Sequence, residues 1–302
     1  MIYNTIYPKI SIVTPNFNGG RYLEHTIQSV LSQDYPNLEY IVIDGGSTDN
    51  SVAIIKKYES HLAYWISEPD KGLYDAVQKG FDYSTGEIMA WINSDDLYHP
   101  KAFFTVAEIF TNIKNVNWLM GIPSTFDELG RTVSVSPLKR WNKLDYYLGN
   151  FEWIQQESVF WRRSLWTKSG SKVDSNMKYA ADLELWLRFF RREKLYVTQA
   201  LLGGFRQRSE GQLSMDFLDE YMEEARTKIK EEIENFIPKK EKELLINIKK
   251  YNIVMNKMPY TFLKRILTKV FYLDMIKKKQ LNFSYPPLIY FDRVKQEFKI
   301  NR

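Results

Sequence analysis

Residues Ile88–Asp96 read Ile-Met-Ala-Trp-Ile-Asn-Ser-Asp-Asp, an apolar run of strand length that stops at two adjacent carboxylates. An unbroken apolar run fits a strand buried on both faces, as in a parallel sheet covered by helices. Unpaired buried carboxylates are costly, so Asp95 and Asp96 must face water at a strand-end turn or share a cation. At the carboxyl end of a parallel strand, where open α/β sheets take ligands, a hard divalent ion is a suitable partner, because Mg²⁺ and Mn²⁺ prefer oxygen donors. Asp is also a common turn residue, and this segment alone leaves both readings open.

Three other segments repeat the pattern. Lys9–Thr14 is a β-branched apolar run ended by Pro15, Asn16, Asn18, Gly19 and Gly20. Tyr40–Asp44 is a second strand ending in a carboxylate, followed by the turn Gly45–Asp49. Tyr64–Ile66 is a short third strand before the loop Glu68–Gly72, which carries Asp70 and Lys71. Between them, Leu23, Ile27, Val30 and Leu31 recur on one helical face, Val52, Ile55 and Tyr58 on another, and Leu73–Lys79 predicts a short third helix. This alternation predicts an α/β fold with an open, mainly parallel sheet and helices on both faces. Asn16, Asp44, Asp70 and Asp95 then reach one edge of that sheet, which favours a site over surface decoration.

Further along, a helix is expected over Lys101–Asn112, and Asn117–Pro123 and Thr132–Val135 are expected to pair around Asp127–Gly130. Trp141–Trp166 is dense in aromatics, including Phe151 and Trp153; these are core, or one or two of them line a sugar-binding groove. Asp182 opens a helix with Leu183, Trp186, Leu187 and Phe190 on one face, where an acid is also favoured by the helix dipole. Leu195–Leu202 reads as a last strand closed by Gly203 and Gly204. Beyond Met215 the pattern is helical to the end: a long stripe from Leu218 to Phe236, a second helix with Leu244, Leu245 and Ile248, and a third with Phe262, Ile266 and Val270. The expected division is residues 1–212 as one domain and 213–302 as a helical, basic C-terminal extension.

The chain has no Cys and three His, which removes thiolate chemistry and leaves little for His-based metal sites. Its start lacks the pattern of a signal peptide, and no apolar run has the length of a membrane span. A cytoplasmic location is expected, with peripheral contact at the inner face of the membrane. Residues 239–302 hold 16 Lys and Arg against 5 Asp and Glu, whereas the rest of the chain holds 26 against 32. A basic tail suits an anionic lipid surface, or is a helical appendage with solvated lysines. No nucleic-acid motif accompanies it.

Several ordered motifs within about residues 8–210 resemble the family 2 glycosyltransferases, of GT-A (Rossmann-like) fold. They are Ser11–Asn18, Ile41–Ser51, Asp70–Ala76 with Lys79-Gly80 and Thr85-Gly86-Glu87, Trp91–Asp96, and Asp182 with Leu-Glu-Leu-Trp-Leu-Arg after it. The resemblance implies an inverting transfer of a sugar from a nucleotide diphosphate-sugar, a UDP-sugar by expectation, to an acceptor hydroxyl. It implies a nucleotide pocket formed by Thr14, Pro15, Asn16, Asn18, Asp44, Asp70, Lys71, Asn93 and Ser94, with Asp44 reading the base and Asn93 a ribose hydroxyl. Asp95 would hold Mn²⁺ or Mg²⁺, with Asp96 as second ligand or supporting group. Asp182 would be the catalytic base, Glu184 the fallback, and Lys71 or Arg206 a phosphate partner. The acceptor would be a saccharide or lipid-linked saccharide in surface polysaccharide, lipopolysaccharide or glycolipid synthesis. This sequence departs from the family at Asn93, where an Asp is usual, at Ala181, where Glu is frequent, and in Phe205–Arg208, which lacks a His. Those departures keep open a second reading, a catalytically silent partner or sugar-binding subunit. A sugar-1-phosphate nucleotidyltransferase would need a Gly-rich loop with Arg and Lys after the first strand, where this chain has Pro15–Arg21.

Overall fold

The computed structural model describes residues 7–149, 154–212, 216–257, 266, 269–270 and 285–301. Its centre is a seven-stranded sheet built on β1 (Ile10–Asn16), β2 (Leu38–Asp44), β3 (Tyr64–Ser67) and β4 (Ile88–Trp91). These four pair in parallel, β1 between β2 and β4, and β3 outside β2. Register sets the functional edge: Asn16 lies opposite Asp44, and Asp44 opposite Ser67. Side chains alternate between the faces of a strand, so each apolar run feeds two cores. Val13, Ile41, Ile43, Met89 and Trp91 face one, and Ile10, Ile12, Tyr40, Val42, Ile88 and Ala90 the other.

Helices cover both faces, as expected. The first core is covered by α3 (Leu73–Tyr83) and α7 (Ala181–Phe190). The second is covered by α1 (Leu23–Leu31), α2 (Ser51–Tyr58) and α4 (Ala102–Asn112). Trp91, Trp118, Trp161 and Trp186 meet in the first core, with Trp186 stacked on Trp91 at 5.9 Å and on Trp118 at 5.4 Å. In the aromatic stretch Trp141, Tyr146, Tyr147, Phe160, Trp161 and Trp166 are all buried, so these are core rather than a sugar platform. Phe151 and Trp153 lie outside the described residues.

Past β4 the strands depart from the expected pairing. After the short β5 (Leu97–Tyr98), β6 (Trp118–Met120) joins the main sheet, where it pairs with β9 (Val159–Arg162) and β10 (Tyr196–Val197). Its expected partner, β8 (Thr132–Val135), pairs instead with β7 (Ser124–Phe126). Val159–Trp161 and Trp118–Met120 are both wholly apolar, so both fit a two-sided interior; β8 is exposed throughout and fits an edge. β9 runs antiparallel to both β4 and β6, making the sheet mixed but mainly parallel. The Gly203-Gly204 pair does not close a strand. It begins β11 (Gly203–Arg206), which lies between β5 and β7 in a four-stranded second sheet. A Cβ on Gly203 would stand 2.0 Å from the Glu157 carbonyl oxygen, so this crossing requires glycine.

The smaller helices α5 (Lys143–Tyr147) and α6 (Arg163–Lys168) pack on the first core, and α5 opens with a reciprocal Asn142/Asp145 capping box. Two long helices follow, α8 (Leu218–Asn235) and α9 (Lys239–Asn256). Tyr221, Ala225 and Ile229 of α8 and Leu244, Leu245 and Ile248 of α9 belong to the same core as the sheet. The expectation of helix to the end is corrected at the C-terminus: β12 (Ile289–Asp292) and β13 (Glu297–Ile300) form an antiparallel hairpin. The alternation of Ile289, Phe291, Phe298 and Ile300 explains it, with Ile289 fully buried and bridged to Thr198. The expected third helix falls almost wholly outside the described residues. No described helix is long and apolar enough to cross a membrane.

Candidate active site

The ends of β1 and β2 are tied through one carboxylate. Asp44 Oδ1 accepts from Asn16 Nδ2 at 2.6 Å and from the Ser47 hydroxyl at 2.5 Å. Its Oδ2 accepts from the Ser47 N–H at 2.9 Å and the Ser67 hydroxyl at 2.6 Å. Burial pushes the Asp44 carboxyl up, but these four donors outweigh it and hold the group below the ordinary carboxylate value. Asn18, in the left-handed region at φ 49°, bridges the same two loops: its N–H donates to Ser47 Oγ and its Oδ1 accepts from the Thr48 N–H. Asp70 approaches from the loop before α3, where its carboxylate oxygen would lie 2.7 Å from a Cβ on Gly45. Lys71 is exposed beside it, and Pro15 is buried at the strand end. Thr14, expected in the pocket, is fully buried and its hydroxyl pairs with the Tyr40 hydroxyl at 3.1 Å; the pleat turns it into the core.

The segment after β4 sorts its two acids to opposite sides. Asp95 stays partly exposed, and its Oδ2 lies 3.1 Å from Arg208 Nε, an ion pair rather than an aligned hydrogen bond. Asp96, expected as a second metal ligand or supporting group, points inward and is 1% exposed. Its Oδ1 accepts the Arg206 N–H at 2.8 Å and its Oδ2 accepts Asn93 Nδ2 at 3.2 Å. Asn93–Asp96 is a turn closed by the Asp96 N–H on the Asn93 carbonyl at 3.1 Å, and the two adjacent acids leave it in different directions. Asp96 therefore supports β11 and Asn93. Ser94 packs against the loop after β1, its Oγ lying 2.7 Å from the place of a Cβ on Gly19.

Glu157, in the single turn Gln156–Ser158 before β9, was not singled out by the sequence, which offers no motif around it. It is buried and hydrogen-bonded to Asp96, and it lies within electrostatic reach of both Asp95 and Asp182. Burial raises both partners, Glu157 to about 7 and Asp96 well above its ordinary value, with their mutual repulsion adding to the latter. Two carboxyls in contact cannot both ionise, so this pair carries a proton. Arg206, expected as a phosphate partner, is fully buried. Its guanidinium donates to the carbonyls of Asp95, Asp127 and Glu128 and lies 4.8 Å from the Tyr22 ring. It locks loops together. Arg208 is the cation that reaches Asp95, and it also lines a shallow recess of ≈ 340 Å³ with Asp127, Glu128 and Ser209.

Asp182 stands in the first turn of α7, and burial pushes its carboxyl up from 3.8 to about 6. Backbone N–H groups of the helix start and the Tyr74 hydroxyl act against that rise. Its Oδ1 is buried without a partner. Glu184, the fallback base, is held by Arg188 through bonds of 2.9, 3.0 and 2.8 Å, and is not free to take a proton from an acceptor. Asn16 Oδ1 and Asn93 Oδ1 are likewise buried and unpartnered. Unpaired buried polar atoms are rare in folded proteins, and with Arg206 Nη2 four of those among the described residues fall on residues that the sequence assigned to a site.

Among the described residues no group of three or more His, Asp or Glu side chains converges as a metal site. Asp95 is the one outward carboxylate of the strand-end segment. A single carboxylate with substrate oxygens and water suits Mg²⁺ or Mn²⁺, so the residues fit such an ion as a partial shell.

The strand ends of a mainly parallel α/β sheet carry Asn16, Asp44 and Asp95, and Asp182 opens a later helix, an arrangement of the kind found in α/β enzymes that bind nucleotides. The family model described as glycosyl transferase family 2 matches residues 11–172, more than half of the chain, and the chain belongs to that family. An uncharacterized glycosyltransferase of Rickettsia typhi is 28% identical over 207 residues, covering 67% of this chain and 65% of that protein. One of Mycobacterium tuberculosis is 33% identical over 187 residues, covering 61% of this chain and 70% of that protein. The chain thus spans slightly less than two thirds of the Rickettsia relative's length. Among solved structures, S. aureus TarS 1-349 in complex with UDP-GlcNAc superposes with a TM-score of 0.65 at 19% identity, over 80% of this chain and 71% of that one. At that identity the likeness shows the GT-A fold.

Proposed function

We propose that this glycosyltransferase moves a hexosyl or N-acetylhexosaminyl group from a UDP-sugar to an acceptor hydroxyl with inversion. The observation that carries the reading is Asp182: an unpartnered carboxyl oxygen on a group whose proton affinity is raised to about 6. An acceptor hydroxyl is a weak nucleophile and needs a base that is ionised near neutrality yet retains proton affinity. Asp182 takes that proton. The donor choice is supported by the superposition on a protein solved with UDP-GlcNAc.

Asn16, Asn18, Asp44 and Asp70 form the nucleoside end. Asp44 is fully bonded within the protein, so its part is to fix Asn16 and the Ser47 turn, leaving Asn16 Oδ1 to accept from a base or ribose donor. Asn93 Oδ1 offers an acceptor to a ribose hydroxyl. Asp95 holds Mn²⁺ or Mg²⁺ together with the diphosphate. When bound, the ion offsets charge on the leaving group. Arg208 is the side chain placed to exchange Asp95 for a phosphate oxygen as the donor enters.

The acceptor is a saccharide or lipid-linked saccharide of surface polysaccharide, lipopolysaccharide or glycolipid synthesis. Membrane contact is supported by the outer face of α9, where exposed Ile246 and Ile253 lie among exposed Lys239, Lys249, Lys250 and Lys257. Such a face suits a lipid interface. Flotation with phosphatidylglycerol vesicles tests it: binding is expected, and no binding, or binding that survives Ile246→Asp with Ile253→Asp, refutes it.

UDP release from a panel of UDP-sugars with and without Mn²⁺ tests the enzyme reading. Slow, metal-stimulated release that Asp95→Ala abolishes is expected. No turnover of any nucleotide sugar, with UDP still bound, would favour a silent sugar-binding subunit.

A further inference from the structure

We propose that Glu224 of α8 is the positioning residue for the catalytic base, so that the active site is completed from outside the family-matched segment. The proposal rests on the assignment of Asp182 as base. α7 begins at Ala181, and its N-cap residue, Ala180, supplies no side-chain cap. The cap comes from 44 residues further along the chain. Glu224 Oε1 accepts the Lys178 N–H at 3.0 Å, and Oε2 accepts the N–H groups of Tyr179 and Ala180, both at 2.9 Å. Three successive peptide N–H groups form an anion-binding concavity, and here a carboxylate of the protein fills it. An acid at a helix N-terminus is also favoured by the helix dipole.

The consequence falls on Asp182, two residues beyond Ala180. With three successive N–H groups bound to one carboxylate, the backbone entering α7 has a fixed direction, and with it the Cα–Cβ vector of Asp182. Two further contacts lock the same segment. The Tyr179 carbonyl accepts from the Tyr74 hydroxyl at 2.7 Å, and that hydroxyl also reaches the Asp182 carboxyl. The Tyr179 ring stacks on Phe217 at 5.2 Å, just before α8. Tyr221, one turn before Glu224, is buried beside Asp182 and Tyr74. Both α7 and α8 lie beyond residues 11–172. α8 is therefore part of the catalytic apparatus.

The test is a cycle in the full-length protein: Glu224→Ala and Glu224→Gln, each alone and combined with Asp182→Asn. The readouts are kcat and donor KM for the nucleotide sugar giving the fastest UDP release, the Kd of UDP by calorimetry, and the Tm. Glu224→Ala should lower kcat by roughly 10- to 100-fold, the cost of small misplacements of a reacting group, while Kd for UDP changes less than twofold. Glu224→Gln keeps a carbonyl acceptor for the Tyr179 and Ala180 N–H groups and should restore most of kcat. In the Asp182→Asn background, Glu224→Ala should cost nothing further, because residues acting as a unit are not additive. A lowered Tm with wild-type kcat per folded molecule would show a merely structural cap and overturn the proposal, as would additive losses in the double variant. Wild-type turnover in Asp182→Asn alone would instead sink the base assignment, whatever Glu224 does.

Discussion

Asp182→Asn should make the protein more stable and inactive at the same pH. Burial raises the carboxyl from 3.8 to about 6, so folding disfavours its ionised form. That gap corresponds to about 3 kcal/mol at roughly 1.4 kcal/mol per tenfold. The sign follows from proton counting. Between pH 3.8 and about 6 the folded state binds more protons than the unfolded one, so stability falls as pH rises through that window. Above it the full penalty is present; below it none remains. Asparagine is neutral at every pH and removes the penalty. Urea denaturation at pH 7.5 should therefore show the variant more stable by up to about 3 kcal/mol, with the difference vanishing by pH 4. Its kcat should fall by roughly 10²- to 10⁴-fold, the usual worth of a general base. In the wild type, kcat should rise with pH through about 6 and then level off. An equal stability difference at both pH values would refute the burial argument. Turnover close to wild type would refute the base assignment.

Asp95→Asn should abolish stimulation by Mn²⁺ and weaken Mn²⁺ binding to the UDP complex at least tenfold, read by calorimetry; unchanged metal dependence would place the ion elsewhere. Asp44→Ala leaves Asn16, Ser47 and Ser67 donors without an acceptor, and should cost about 2–4 kcal/mol in urea at pH 7. Because its folded-state proton affinity is lowered, that difference should shrink as pH falls through 4. Glu184→Gln unpairs buried Arg188 and should destabilise by about 3 kcal/mol, with kcat per folded molecule unchanged; a lost kcat would reopen Glu184 as the base.

The first half of the fold was legible because β1, β2 and β4 are buried on both faces, and their composition alone marks them, with β3 the half-buried edge strand. Strand order beyond β4 was not, since β6 and β7 are three residues each, too short for periodicity to mark, and β7 reads Ser-Thr-Phe after Pro123 and so looks like a turn. The C-terminal hairpin hid for a related reason: Tyr285–Phe291 reads as an aromatic turn until Phe298 and Ile300 are seen to alternate opposite it. In the site, residue types gave Asn16, Asp44, Asp95 and Asp182 as candidates, but they did not give side-chain direction. Thr14 turns into the core by the strand pleat, Asp96 at the close of the Asn93–Asp96 turn, and Arg206 by its burial between loops. Glu157 and Glu224 carry no local motif; only tertiary folding gives them partners.

On the proposed function, the charges at this end of the site suit Asn93 in place of the usual acid. Asp95, Asp96 and Glu157 crowd one end of it, and a further carboxylate at residue 93 would add repulsion to a pair that already must hold a proton. Asn93 instead donates to Asp96 and leaves its own carbonyl oxygen unpaired. Asp95 is then the one acid of this end facing outward, balanced by Arg208. On the proposed function, Asp95 would hold the cation of the donor's diphosphate and Arg208 would pair with a phosphate oxygen. Metal affinity in such a site would then depend on the nucleotide, because the diphosphate would supply the oxygens that the protein does not.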